Sequence, residues 1–155
     1  MDTEPRMARK WILIVEDNPL DMKLFSALLL AEGYEVLEAA NGSEGLDLAR
    51  EHHPDLIIMD IRLPDMSGLE VTRILKADAK TRPIPVLATS AHGHYANTRE
   101  IRDSGCDAYI PTPIDTGAFV RFIGSFLVSA ARDPADAEST LPVLRGPVTE
   151  FREDI

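Results

Sequence analysis

The 155-residue chain predicts an α/β fold built on a parallel sheet, and three observations carry that prediction. Five short apolar runs alternate with five amphipathic helical stretches. The first, third and fourth runs are apolar almost throughout, as expected of strands covered on both faces. Residues suited to turns and caps stand at the joins. Such an alternation implies right-handed crossovers and helices on both sides of the sheet.

In order, the strand runs are Trp11–Val15, Tyr34–Glu38, Leu56–Met59, Ile84–Ala88 and Ala108–Ile110. Helical periodicity covers 19–31, 43–52, 67–79, 94–103 and 115–131. Asn18 before Pro19 is a cap followed by a first-turn proline. Gly33 has the place of a C′ residue after the first helix. Asn41-Gly42-Ser43 is a turn feeding the second helix, with Ser43 as its expected cap. The pattern divides the chain into a lead at 1–8, a folded domain at 9–131 and a tail at 132–155. Pro134, Pro142, Gly146, Pro147 and many charges make the tail a flexible extension by composition. Its apolar patch Leu141-Pro142-Val143-Leu144 leaves a second reading open, an arm that docks on this chain's own partner copy or another surface. No further domain is expected in so short a tail.

Sixteen Lys+Arg against twenty-six Asp+Glu give a net charge of −10. That balance argues against nucleic acid and against anionic membranes, both of which need basic surfaces. The apolar run Trp11–Val15 meets Glu16 and Asp17 at once, too short and acidic for a signal peptide or a membrane span. One cysteine, Cys106, excludes an internal disulfide and suits a reducing cytosol. A cytoplasmic protein is therefore expected. The charge is uneven: residues 16–60 hold eleven acids and two bases.

In an open α/β sheet the functional crevice lies beyond the carboxyl ends of the strands. Glu16 and Asp17 follow the first strand there, Asp60 follows the third, and Thr89-Ser90 follow the fourth. Carboxylates crowded together raise one another's pKa or recruit a cation. Hard oxygen ligands suit Mg²⁺. A carboxylate left free can act as nucleophile toward a phosphoryl group, giving an acyl phosphate.

Four segments resemble the receiver domain of two-component response regulators: Ile14-Val15-Glu16-Asp17-Asn18-Pro19, Asp55–Gly68, Ile84–Ala91 and Gly105–Asp115. The likeness spans about residues 9–131 and is greatest to stand-alone receivers of cell-cycle and phosphorelay pathways. It implies a flavodoxin-like doubly wound (βα)5 fold, strand order 2-1-3-4-5. It further implies that Asp60 accepts the phosphoryl group and that Glu16, Asp17, Asp60 and the Arg62 carbonyl hold Mg²⁺. Ser90 matches the switch hydroxyl, with Thr89 a strand residue facing away, and Tyr109 matches the switch aromatic. Arg62 and His92 match positions that tune dephosphorylation. Thr112 stands where the family has a lysine, and a threonine cannot supply that point charge. Weaker phosphorylation, faster loss of the phosphoryl group or altered coupling follows as an expectation, with Arg62 as a possible substitute. The Thr112–Pro113 bond is cis in the family pattern.

The implied function is a response regulator without an output module. It takes its phosphoryl group from a sensor histidine kinase or phosphotransfer protein and signals through protein contacts. The alternative is a phosphorylation-independent scaffold, for which Thr112 speaks. An aspartyl phosphohydrolase would want a second aspartate where Arg62 stands. Surplus leucines in the first helix and aromatics in the last are either extra core or surfaces, the first for the phosphoryl donor and the last, like the tail, for a homodimer. His52 and His53 read as solvated, and Cys106 as a small buried residue or a redox sensor.

Overall fold

The computed structural model describes residues 9–90, 98–111, 115–128 and 141–144. Its elements are β1 (Trp11–Val15), α1 (Pro19–Ala31), β2 (Glu35–Ala39), α2 (Gly42–His52), β3 (Leu56–Asp60), α3 (Gly68–Ala77), β4 (Val86–Ser90), α4 (Thr98–Asp103), β5 (Ala108–Pro111) and α5 (Thr116–Val128). The five strands pair in parallel in the order β2-β1-β3-β4-β5, the flavodoxin-like α/β arrangement that the alternation and the resemblance imply.

The apolar residues sort into two cores, one on each face of the sheet. Leu13, Val15, Ile57, Met59, Val86 and Ala88 pack with Leu46, Val71, Leu75 and Ile101 from α2, α3 and α4. Ile12, Ile14, Leu56, Ile58, Leu87 and Ile110 pack on the other face with Phe25 and Leu29 from α1 and Phe119, Ile123 and Phe126 from α5. The period-two alternation of strand side chains makes this division. Phe25 and Phe119 stack at 5.2 Å between ring centroids and join α1 to α5.

Local signals explain the boundaries. Asn18 caps α1, its side chain accepting from the Leu20 and Asp21 amides at 2.9 and 3.1 Å. Gly33 has φ +93°, the left-handed conformation a C′ residue needs. The cap of α2 is Asn41 and not Ser43: the Asn41 side chain accepts from the Glu44 amide at 2.8 Å, and the helix begins at Gly42. β2 runs one residue later than the apolar run suggests, and β4 covers 86–90 instead of 84–88. Pro85 offers no N–H, and Ile84 turns back to Thr81 before the ladder begins. The expected helical residues 94–97 and 129–131 lie outside the described residues, as do Thr112 and Pro113.

The last described segment, 141–144, lies along the outer edge of β5. Val143 forms a parallel bridge with Tyr109. The Tyr109 amide donates to the Pro142 carbonyl, and the Leu144 amide donates to the Tyr109 carbonyl, both at 2.9 Å. Leu144 is buried with the α1/α5 core, whereas Leu141 and Val143 pack on the opposite one. Among the described residues, no helix is long and apolar enough to cross a membrane.

Candidate functional site

The register of the sheet assembles the acidic cluster. β1 and β3 are neighbours, with Val15 level with Met59, so the next residues along each strand emerge side by side. Glu16, Asp17 and Asp60 consequently bring carboxylate oxygens within 4.8 Å of one another. Glu16 and Asp60 are buried, and Asp17 is exposed. The Glu16 amide donates to the Ala39 carbonyl at 2.9 Å, and its carboxylate accepts from the Asn18 amide at 3.1 Å. Asp60 accepts from the Arg62 amide at 3.1 Å.

Burial of like charges governs the electrostatics. Desolvation, then repulsion from Asp60, raises Glu16 to about 8, against which the Asn18 amide works. Desolvation raises Asp60 to about 6; the Arg62 amide and a hydrogen bond with Glu16 oppose it, and Asp17 adds to it. The pair therefore holds a proton that two ordinary carboxylates would have lost. Two buried carboxyls and an exposed third, all hard oxygen donors, fit a divalent cation that keeps some of its water.

The loop after β3 is fixed at three points. Gly68 donates to the Ile61 carbonyl at 2.8 Å, Arg62 bridges Ser67, and the Asp65 carboxylate accepts from the Gly42 and Ser43 amides at 2.8 and 2.9 Å. Those two amides hold Asp65 below the usual carboxylate range. A Cβ at position 68 would collide with the Asp60 backbone carbonyl, so glycine is required there. Asp65 and Gly68 were visible in sequence only as part of the segment Asp55–Gly68; their clamping roles depend on the distant amides and carbonyl they meet.

Ser90 closes the neighbouring strand. Its Oγ lies 2.6 Å from the Tyr109 hydroxyl, both groups buried. Ala88 is level with Tyr109 and Ser90 with Pro111, so alternation puts Ser90 and Tyr109 on one face. Burial raises the Tyr109 pKa and the Ser90 hydroxyl counters it. Thr89 is a buried strand residue, as expected: it is level with Asp60 in the ladder, and alternation turns it to the face opposite Ser90 and Tyr109. The side chain of Arg62 is exposed, and His92 and Thr112 lie outside the described residues. His52 and His53 are exposed, and Cys106 is buried with its thiol pushed up by desolvation.

This constellation agrees with a match to the response regulator receiver domain family over residues 12–123. The chain belongs to that family. It is 53% identical over 121 residues to the polar-differentiation response regulator DivK of Brucella ovis, covering 78% of this chain and 98% of that protein. The fold is similar to the crystal structure of a CheY-like receiver from Methanospirillum hungatei, with TM-score 0.72 and 31% identity over 79% of this chain and 96% of that one. It is equally similar (TM-score 0.72, 29% identity, 78% and 99% covered) to the receiver domain of a Pseudomonas aeruginosa sensor histidine kinase that carries a magnesium ion in its active-site cleft. The protein is thus a response regulator with an acidic pocket for phosphorylation. It is a signalling protein and not a conventional enzyme.

Proposed function

We propose that Asp60 accepts a phosphoryl group from a phosphohistidine on a sensor kinase or phosphotransfer protein. The convergence of Glu16, Asp17 and Asp60 carries this reading. An Asp60 oxygen attacks phosphorus, the P–N bond breaks, and the histidine nitrogen leaves with the electron pair and takes up a proton. The product is an acyl phosphate on Asp60. Glu16, Asp17, Asp60 and the Arg62 carbonyl are the groups to hold Mg²⁺, which when bound neutralises charge on the phosphoryl oxygens. The Arg62 amide steadies Asp60. Ser90, at the end of β4, supplies a hydroxyl for the phosphoryl group, and Tyr109 follows it through their hydrogen bond.

Leu20 and Leu24 are exposed on the N-terminal half of α1, the end next to the site, and form the surface for the phosphoryl donor. The exchange takes place in the cytoplasm and reads out through protein contacts, with the last helix as a candidate homodimer face. Thr112 favours a second reading, a scaffold that works without phosphorylation. Acetyl phosphate with Mg²⁺, followed by intact mass, separates the two. One added phosphoryl, absent in Asp60→Asn, supports the first; no adduct, together with no transfer from any phosphorylated kinase, supports the second.

A further inference from the structure

We propose that Leu141–Leu144 is a sixth strand supplied in cis, which clamps Tyr109 and thereby prolongs the life of the phosphoryl group on Asp60. This inference rests on the reading of Asp60 and Ser90 given above.

The segment makes a parallel β-bridge with the edge of β5, with strand-like hydrogen bonding, and not a loose contact. Both of its backbone hydrogen bonds close on one residue, Tyr109, whose amide donates to Pro142 and whose carbonyl accepts from Leu144. Its side chains alternate between the two cores, with Leu141 and Val143 to one side and Leu144 to the other. β5 is the last strand of the sheet. An open edge presents a row of amides and carbonyls that another strand can take, and apolar residues at alternate positions give the added strand its selectivity. Leu-Pro-Val-Leu is suited to this edge. Its proline supplies the carbonyl and is not asked for an N–H.

The link to the site is short. Tyr109 is the bridged residue, and its hydroxyl is 2.6 Å from Ser90 Oγ. A serine hydroxyl has one proton to donate and can accept as well. This hydrogen bond joins the two hydroxyls, so a displacement of Tyr109 displaces the Ser90 hydroxyl that the phosphoryl group meets. A strand that fixes the Tyr109 backbone and covers its side of the sheet holds this relay in place. By reciprocity, whatever the arm contributes to the phosphorylated state, phosphorylation returns to docking of the arm.

The test compares the full chain with Leu144→Asp, which sets a charge against the α1/α5 core, and with the milder Leu144→Ala. Amide hydrogen exchange by NMR reads docking, and acetyl phosphate with Mg²⁺ followed by intact mass reads the acyl phosphate. In the wild type the Tyr109 amide exchanges slowly at all protein concentrations. In Leu144→Asp it exchanges at least ~10-fold faster while the Ile58 amide stays protected, and the acyl phosphate decays several-fold faster than in the wild type. Leu144→Ala falls between. Fast Tyr109 exchange in the wild type overturns the proposal. So does protection that is lost on dilution, which would mean that a second copy supplies the arm. Equal decay in wild type and variants overturns the coupling. Absence of any adduct on the wild type instead counts against the reading of Asp60, whatever the exchange data say.

Discussion

Replacing Glu16 with glutamine should stabilise the metal-free protein at alkaline pH. Glu16 is buried beside Asp60, and its pKa rises from an ordinary 4.5 to about 8. The folded state thus binds this proton more tightly than the unfolded chain does. Stability from this group then falls as pH climbs from about 4.5 to about 8, with nothing lost below that window and the full cost reached above it. At ~1.36 kcal/mol per pH unit the interval sets a ceiling of about 5 kcal/mol. Water entry and relaxation around two adjoining carboxyls reduce this, and about 2 kcal/mol is expected. Glutamine imitates protonated Glu16: it retains a donor toward Asp60 and does not titrate. With chelator present, the melting temperature of E16Q should match the wild type near pH 5. By pH 8.5 it should exceed it by about 6 °C, for a domain of this size. Every other titrating group is common to both proteins, so the difference between the curves isolates the pair. Parallel curves from pH 5 to 8.5 would refute the argument, for they would mean that Glu16 loses its proton as easily in the fold as outside it.

The same cluster predicts that Mg²⁺ raises the wild-type melting point at pH 8, by about 2.7 kcal/mol of stability at a hundredfold excess over its dissociation constant. The rise should shrink near pH 5.5, where protons compete, and vanish in Asp17→Asn; a pH-independent rise in differential scanning calorimetry would contradict it. Gly68→Ala forces a methyl group into the Asp60 carbonyl. It should cost about 3 kcal/mol by urea denaturation and depress phosphorylation by acetyl phosphate. Lys76→Met strips donors from the Arg82 and Ile84 carbonyls and from Asp107, which also accepts from the Val86 amide. With these groups half-buried, a loss of about 2 kcal/mol is expected without change in Mg²⁺ affinity. Finally, Ser90→Ala should slow phosphorylation markedly and Thr89→Val should not; the reverse order would transfer the switch role to the hydroxyl level with Asp60.

What could be read from the sequence depended on whether a feature is settled by neighbours in the chain or by a partner far away. The start of α1 is local: Asn18 and Pro19 suffice, and the cap is found where they stand. The start of α2 is also local but ambiguous, because Asn41 and Ser43 are both able caps, and only the position of the Glu44 amide decides for Asn41. β4 was displaced by two residues because its apolar run does not say where the ladder with β3 begins. Thr89 and Ser90 are polar yet buried, so the apolar run stops short of them although the strand does not.

The acidic site is non-local and was nevertheless legible, which calls for an explanation. Asp17 and Asp60 are far apart in the chain, but a parallel sheet delivers all its strand ends to one side. Once β1 and β3 are adjacent and in register at Val15 and Met59, the residues that follow have no other place to go. No comparable rule directs a strand to an open edge. Leu141–Leu144 was recognisable as too apolar for a solvated tail, yet its partner at Tyr109 is identified only by the two hydrogen bonds between them. The segment also lies outside the match at residues 12–123, so the family pattern carries no information about it. Where topology forces an encounter, sequence suffices; where an edge merely permits one, the contact has to be seen.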